Sequence, residues 1–371
     1  MKTVLVTGYN GFIGKNLIAT LNRIENIEIL RYGRENSIDQ LREFVGKADF
    51  IFHLAGVNRP IDPGDFERGN KELTEQLIHL IVEQGRSIPM LISSSIQAEQ
   101  DHAYGRSKRQ AEEAVIAYGE QTDAEIMIYR LPNVFGKWCK PNYNSVVATF
   151  CYNIAHDLPI QIHDRDTQLN LVYIDEVVEE FVQAMMGSAN RKEGPYCSVS
   201  CSYHISLGEL ADTLSRFRES RKTLVLEYEQ QDLDRLLYST YLSYLDESDF
   251  SYQLEMKRDQ RGWLAEFIKS NQAGQIFISR TKPGVTRGNH WHHTKVEKFL
   301  VIDGEAIIKF RHISASDEFG YKVSGEQLQV LDIPPGYTHS ITNTGDRDVI
   351  TLFWANEIFN AEKPDTYYLE V

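Results

Sequence analysis

Cysteine is scarce in this chain, with four in 371 residues. Cys139, Cys151, Cys197 and Cys201 make no closely spaced even framework, which excludes a disulfide-stapled fold. Cys197 and Cys201 lack the second pair a metal knuckle needs, so both read as free thiols. Long apolar runs are missing too. The stretch Thr3 to Val6 is far too short for a secretory leader, and no run approaches bilayer length. A soluble, cytoplasmic protein with no membrane partner is therefore expected. Positive charge is in deficit, 39 Lys and Arg against 53 Asp and Glu, a formal net charge of −14. That balance argues against nucleic acid as a partner, while leaving an anionic small molecule open wherever cations cluster. Repeats and low-complexity tracts are absent, and the length fits two or three domains, each with its own core.

Thr3 to Val6 is β-branched and free of charge, which reads as a buried strand. Gly8, Gly11 and Gly14 follow, and Lys15 to Leu21 then carries apolar residues at helical spacing. A strand, a glycine turn and a helix start make an anion site, because the first helical amides lack internal partners and the dipole favours phosphate. Glycine lets the backbone come close enough to use them. Ile27 to Leu30 reads as a second strand ending at Arg31, with Arg34 close behind. In NAD-binding proteins of this build a carboxylate at that strand end takes the ribose hydroxyls. A cation there instead favours a 2′-phosphate, hence NADPH.

Phe50 to Gly56 is a third buried strand running into small residues, where Ala55 and Gly56 leave room for a cofactor and His53 reads as packed. Met90 to Ser95 is a further strand with hydroxyls at its tip. Tyr104 and Lys108 stand four apart beyond it, on one helix face. The ammonium is expected to lower the phenol from its usual value of about 10, readying it to protonate a carbonyl oxygen as hydride arrives at carbon.

These residues, with Arg130 to Gly136 and Asn170 to Val178, resemble the extended short-chain dehydrogenase/reductases that act on nucleotide sugars. The resemblance covers roughly the first 240 residues. It implies a Rossmann-type, doubly wound parallel sheet, Tyr104 as acid, Lys108 on ribose and tyrosine, and a serine at Ser95 or, one residue back, Ser94. It implies cofactor contacts at Gly8, Asn10, Gly11, Phe12, Ile13, Gly14, Leu54, Ala55, Gly56, Lys108 and Leu131, and substrate contacts at Asn133 and Arg165. The Asp-Glu pair of the family's dehydratases is replaced by Ile96 and Gln97 after Ser95, which argues against dehydration. A dissociable NADPH fits net ketone reduction better than the bound NAD of the 4-epimerases. Arg216, Arg218, Arg221 and Lys222 form a basic cluster that reads as a solvated helix face or a diphosphate contact.

A boundary is expected near Leu245, giving domains 1–245 and 246–371. Beyond it come short β-like runs: Gln275 to Ile278, Lys298 to Ile302, Ala306 to Phe310, Leu328 to Leu331 and Asp348 to Phe353. Such spacing, broken by Gly and Pro, predicts an antiparallel barrel or sandwich. His290 and His292 alternate on a strand, Glu297 can return from the next, and His339 follows Pro334-Pro335-Gly336. Three imidazoles and a carboxylate suit a divalent transition metal, zinc first. The pattern resembles the cupin family, whose motifs carry three His and one Glu as metal ligands. The segment Arg258 to Leu264, with Arg287 to His290, is similar to cupins that isomerise or epimerise keto-sugar nucleotides.

The whole chain thus resembles the two-domain reductase–cupin enzymes of bacterial capsular polysaccharide biosynthesis. The resemblance implies C3 epimerisation of a UDP-linked 4-keto-6-deoxy-N-acetylhexosamine in the cupin. NADPH reduction at C4 then gives UDP-2-acetamido-2,6-dideoxy-L-talose, with a homodimer as the expected assembly. The alternative is a reductase whose cupin is a non-catalytic, metal-stabilised dimerisation module.

Overall fold

The computed structural model describes all residues except 60, 61, 63, 65, 255–256, 260–261, 265–267, 269–273, 358–359 and 361. It divides into two compact units, Met1–Val146 with Gln168–Ile205, and Val147–Thr167 with Ser206–Val371. The units interleave rather than meeting at one cut. The stretches 147–167 and 206–245 group with the second unit, where the side chains at 218 and 221 reach acidic residues near 249 and 332.

In the first unit, strands β1 (Lys2–Thr7), β2 (Ile27–Tyr32), β3 (Phe50–His53), β4 (Met90–Ser95) and β5 (Ile126–Leu131) alternate with helices. The helices are α1 (Phe12–Leu21), α2 (Ile38–Lys47), α3 (Leu73–Glu83) and α4 (Ala103–Thr122). With β6 (Asn133–Phe135), β7 (Gln168–Tyr173), α6 (Ile174–Met185), β8 (Arg191–Glu193), β9 (Tyr196–Cys197) and β10 (Tyr203–Ser206) they build two sheets, while α5 (Val146–Ala155) falls almost wholly in the stretch that groups with the second unit. The larger runs β2-β1-β3-β4-β5-β9-β8, parallel except for the β8–β9 pair, and the smaller β10-β7-β6.

The sheet is buried on both faces, which is why its strands read as continuous apolar runs. Alternation sends Leu5, Ile51, Met90, Ile92 and Ile128 towards Leu41, Val45, Leu77, Ile81 and Val115 of α2, α3 and α4. On the opposite face Phe52 and Tyr129 meet Phe181 of α6 at ring distances of 6.2 and 4.9 Å. Each fully buried Leu or Ile contributes roughly 1.5–3 kcal/mol. The chain leaves β1 towards β2 and returns towards β3 on the other side, and ligands bind at such a switch, outside the strands' carboxyl ends.

The second unit holds α7 (Leu207–Thr223), α8 (Gln231–Leu242) and two five-stranded antiparallel sheets. Its strands are β11 (Ser251–Gln253), β12 (Lys257–Asp259), β13 (Gly262–Leu264), β14 (Gln275–Thr281), β15 (Thr286–Trp291), β16 (Glu297–Asp303), β17 (Glu305–His312), β18 (Glu318–Ser324), β19 (Gln329–Ile333), β20 (Tyr337–Asn343), β21 (Val349–Ala355) and β22 (Tyr367–Tyr368). The sheet orders are β11-β19-β16-β21-β14 and β18-β17-β20-β15-β22, with β12 and β13 a separate hairpin. Every run anticipated as β-like falls on a strand or immediately beside one. Phe299 of β16 meets His339 of β20 at 5.4 Å and Phe353 of β21 at 4.5 Å, so inward-facing rings of the two sheets share one core.

Candidate active and metal sites

At the end of β1, Gly8 takes φ +68° and donates its N–H to the Tyr32 carbonyl at 2.9 Å. A Cβ there would lie 2.6 Å from the Ala55 nitrogen, and one on Gly14 would lie 2.4 Å from the Gly8 oxygen. Only glycine fits this crossing of turn, helix and third strand. Gly11 caps α1 without a side-chain hydrogen bond and no acidic residue enters the first turn, so the leading amides keep their capacity for an anion. Asn10 and Gly11 are exposed, with Phe12 and Ile13 half-buried behind them.

Beside this turn, β3 delivers Leu54, Ala55 and Gly56. Leu54 N–H donates to the Thr7 carbonyl and Ala55 N–H to Thr7 Oγ1, both at 3.2 Å. His53 bridges Thr7 Oγ1 at 2.8 Å and Thr74 Oγ1 at 2.9 Å, and burial with the nearby Lys108 charge holds it down at about 3. It is a neutral, packed histidine.

Tyr104 and Lys108 project from α4 on one face, next to the tip of β4. The Tyr104 phenol lies close enough to Ser95 for that hydroxyl to ease its ionisation, while Ser95 Oγ accepts the Gln97 amide at 3.2 Å. Lys108 Nζ donates to the Ser93 carbonyl at 3.1 Å, and a Cβ on Gly56 would meet that Nζ at 3.1 Å. Burial drives the Lys108 ammonium down to about 8, against the opposing pull of Glu112. Burial also pushes the Tyr104 phenol up, and the neighbouring Ser95 only partly offsets this. The phenol is therefore raised, not lowered as the Tyr-Lys spacing alone predicts, because desolvation outweighs the other influences on it.

The two serines part company. Ser95 faces Tyr104, whereas Ser94 Oγ donates to the buried carboxylate of Glu112. Glu112 also accepts a fork from Arg130, Nε at 3.0 and 3.1 Å and Nη2 at 2.6 Å. Leu131 closes β5 in register with Ser95 and is buried, and Asn133 is exposed on β6. Strand β2 runs one residue past its expected end, to Tyr32. Tyr32 packs into the core, while Arg31 faces out with Nη2 3.4 Å from Asn22 Oδ1. Arg34 is exposed. Sequence reasoning missed Glu35, whose carboxylate accepts the Tyr9 hydroxyl at 2.5 Å directly beside the glycine turn.

In the second unit His290, His292, Glu297 and His339 each offer one ligand atom, all within 4.8 Å of one another. His292 lies just past the end of β15, and a bulge between Gly288 and His290 with Asn289 at φ +54° turns the strand there. Glu297 opens β16 and His339 sits within β20. His292 Nε2 and His339 Nε2 stand 3.2 and 3.4 Å from Glu297 Oε2, yet these buried nitrogens have no well-aligned hydrogen-bond partner. Buried polar atoms are rarely left so, and the donor set fits a divalent transition ion. His293 packs its ring on Trp291 and Tyr367 and stands outside the cluster.

Residues 4–196 match the NAD dependent epimerase/dehydratase family. The chain belongs to that family. Residues 257–367 match the polysaccharide biosynthesis C-terminal domain. The chain is 49% identical to UDP-2-acetamido-2,6-beta-L-arabino-hexul-4-ose reductase of Pseudomonas aeruginosa, over 99% of this chain and 98% of that protein. Among solved structures it is similar to the capsular polysaccharide assembling protein CapF of Staphylococcus aureus. That likeness has a TM-score of 0.69 and 46% identity over 99% of this chain and 100% of the other. A structure of CapF with the inhibitor 3-isopropenyl-tropolone matches at a TM-score of 0.64 and 42% identity over 100% of both chains. The UDP-glucuronic acid 4-epimerase of Bacillus cereus shares the fold, at a TM-score of 0.52 and 17% identity over 58% of this chain and 82% of that one.

Other motifs resolve differently. Arg165 pairs with Asp212 at 2.6 Å. The basic residues of α7 are taken up by carboxylates: Arg216 by Glu229, Arg218 by Asp157, Arg221 by Asp332 and Lys222 by Glu219. Gln260 and Arg261, in the segment resembling keto-sugar cupins, lie outside the described residues.

Proposed function

We propose that the chain is a two-step enzyme of a UDP-linked 4-keto-6-deoxy-N-acetylhexosamine. The second unit, read as a cupin, inverts C3, and the first reduces the C4 ketone to UDP-2-acetamido-2,6-dideoxy-L-talose, a capsular polysaccharide precursor. The observation that carries this reading is the presence in one chain of Ser95, Tyr104 and Lys108 beside the glycine turn and of the His290, His292, Glu297 and His339 cluster. Likeness to a UDP-keto-sugar reductase over nearly the whole chain supports the substrate class.

Bound nicotinamide supplies the hydride. Tyr104, protonated because burial raises it, gives its phenolic proton to the ketone oxygen, and Ser95 holds phenol and oxygen in register. Lys108, fixed by the Ser93 carbonyl, presents a positive charge below about pH 8 to the ribose and the developing negative oxygen. Arg31 and Arg34 support NADPH as the reductant. A divalent ion, zinc in this proposal, would when bound supply a Lewis acid for the carbonyl beside C3. His290, His292, Glu297 and His339 hold it. The edge strand β14, with Ile276 and Ile278 more than half exposed, supports a homodimer, and the proposed setting is the cytoplasm.

The test is incubation of purified protein with the UDP-keto sugar and NADPH, reading the product by NMR. Uptake of one deuterium from heavy water without NADPH, lost when His339 is replaced by alanine, is the expected epimerase signature. Reduction with no such uptake would leave a plain ketoreductase whose second unit is a non-catalytic module.

A further inference from the structure

The segment 365–369 is threaded along the metal cluster from far away in sequence. Asp365 Oδ1 accepts the His293 amide at 2.8 Å. Its Oδ2 accepts the Thr294 and Lys295 amides, both at 2.7 Å, and the Thr294 hydroxyl at 2.9 Å. One carboxylate thus holds three consecutive amides of the turn joining His292 to Glu297, an anion in a backbone nest. The Asp365 backbone carbonyl lies 2.5 Å from His292 Nδ1. Immediately beyond, β22 pairs with β15, Tyr368 opposite His290 and Tyr367 opposite Trp291. Leu369 donates its amide to the Asn289 carbonyl at 2.9 Å and accepts the hydroxyl of Thr338, the neighbour of His339.

A carbonyl oxygen only accepts, so Nδ1 of a neutral His292 must carry the ring proton. Its Nε2 is then the lone pair, on the side facing Glu297. The carboxylate fixes the turn that sets the spacing between these two ligands. We infer that Asp365 is the positioning residue of the metal site, its carbonyl selecting the ligating tautomer of His292 and its carboxylate locking the turn to Glu297. The inference rests on the metal reading above.

The test uses the full chain stripped by a chelator, titrated with Zn²⁺ against a chromophoric competitor, and loaded in parallel with Co²⁺ for its visible spectrum. Removing an outer partner of a ligand weakens binding by about 10–100-fold. Asp365→Ala is expected to lose Zn²⁺ affinity in that range and to shift the cobalt bands. Asp365→Asn, which keeps an acceptor oxygen without the charge, should fall between it and the native chain. A residue that merely anchors the segment would lower the melting temperature of the metal-free protein and leave affinity and cobalt bands unchanged. That result overturns the inference. Should Asp365→Ala fail to fold, the same two readouts on Asp365→Asn decide. A native chain that takes up no metal would instead sink the metal reading itself.

Discussion

Lys108 is a buried ammonium held at about 8, against an ordinary lysine value of 10.5. At about 1.4 kcal/mol for each pH unit, that gap puts the cost of its burial at about 3 kcal/mol. The folded state binds fewer protons than the unfolded chain between pH 8 and 10.5, so stability rises with pH across that window. Below pH 8 the full cost is carried, and above 10.5 it is gone. Lys108→Met removes the charge at similar volume but strands the Ser93 carbonyl, a loss of about 1–3 kcal/mol. The variant should therefore be at least as stable as the native chain at pH 7, by up to about 2 kcal/mol, and lose that advantage by pH 10. Ketone reduction by the variant should fall by at least about 100-fold. Urea unfolding at both pH values measures the first, and NADPH consumption the second. A native stability flat from pH 8 to 10 relative to the variant, or a variant clearly less stable at pH 7, refutes the reasoning.

Three further outcomes are expected. Ser95→Ala should slow ketone reduction by about 100-fold while Ser94→Ala, whose hydroxyl serves Glu112, keeps rates within a few-fold, measured as kcat under saturating NADPH. Glu112→Gln leaves the Arg130 fork without its carboxylate and should destabilise the chain by about 3 kcal/mol, lowering its urea midpoint. Glu35→Gln should raise the preference for NADPH over NADH, and Arg31→Ala lower it, read as the ratio of kcat/KM values. Equal ratios in both variants would remove these residues from cofactor choice.

Much of the fold is written in local patterns. Glycines at 8, 11 and 14 after an apolar run announce a tight strand-to-helix turn, and a Cβ at Gly8 or Gly14 does collide with backbone there. The spacing from Tyr104 to Lys108 likewise depends only on the helix period, whereas His292 falls just past the end of β15, beyond a bulge that strand alternation does not announce. What pairs across long separations was not legible. Glu35 reaches Tyr9 through a loop, Asp365 reaches His292 across 73 residues, and the α7 arginines find carboxylates no period announces. Strand β2 outran its expected end because Tyr32 is as useful to the core as an aliphatic residue. The raised Tyr104 phenol was hidden for a related reason: the spacing reveals a neighbouring cation, but desolvation depends on everything packed around the ring.

The opposite shifts of Tyr104 and Lys108 bear on direction. Burial penalises each charged form, so it moves the phenol above 10.0 and the amine below 10.5, and the two ordinary values separate. At neutral pH the pair rests as phenol and ammonium, the state that the proposed reduction requires if Tyr104 is to give a proton to a ketone and Lys108 to steady the oxygen receiving charge. The reverse oxidation needs a phenolate to take a proton from an alcohol, and burial makes that phenolate scarcer than it is for an ordinary tyrosine. The free-enzyme profile of kcat/KM for reduction should accordingly be flat below pH 8 and fall above it as Lys108 loses its charge. Oxidation of the corresponding alcohol should climb with pH, held back by loss of the ammonium. A reduction profile that instead falls only above 10, following tyrosine ionisation, would mean that the Lys108 charge has no part in the chemistry.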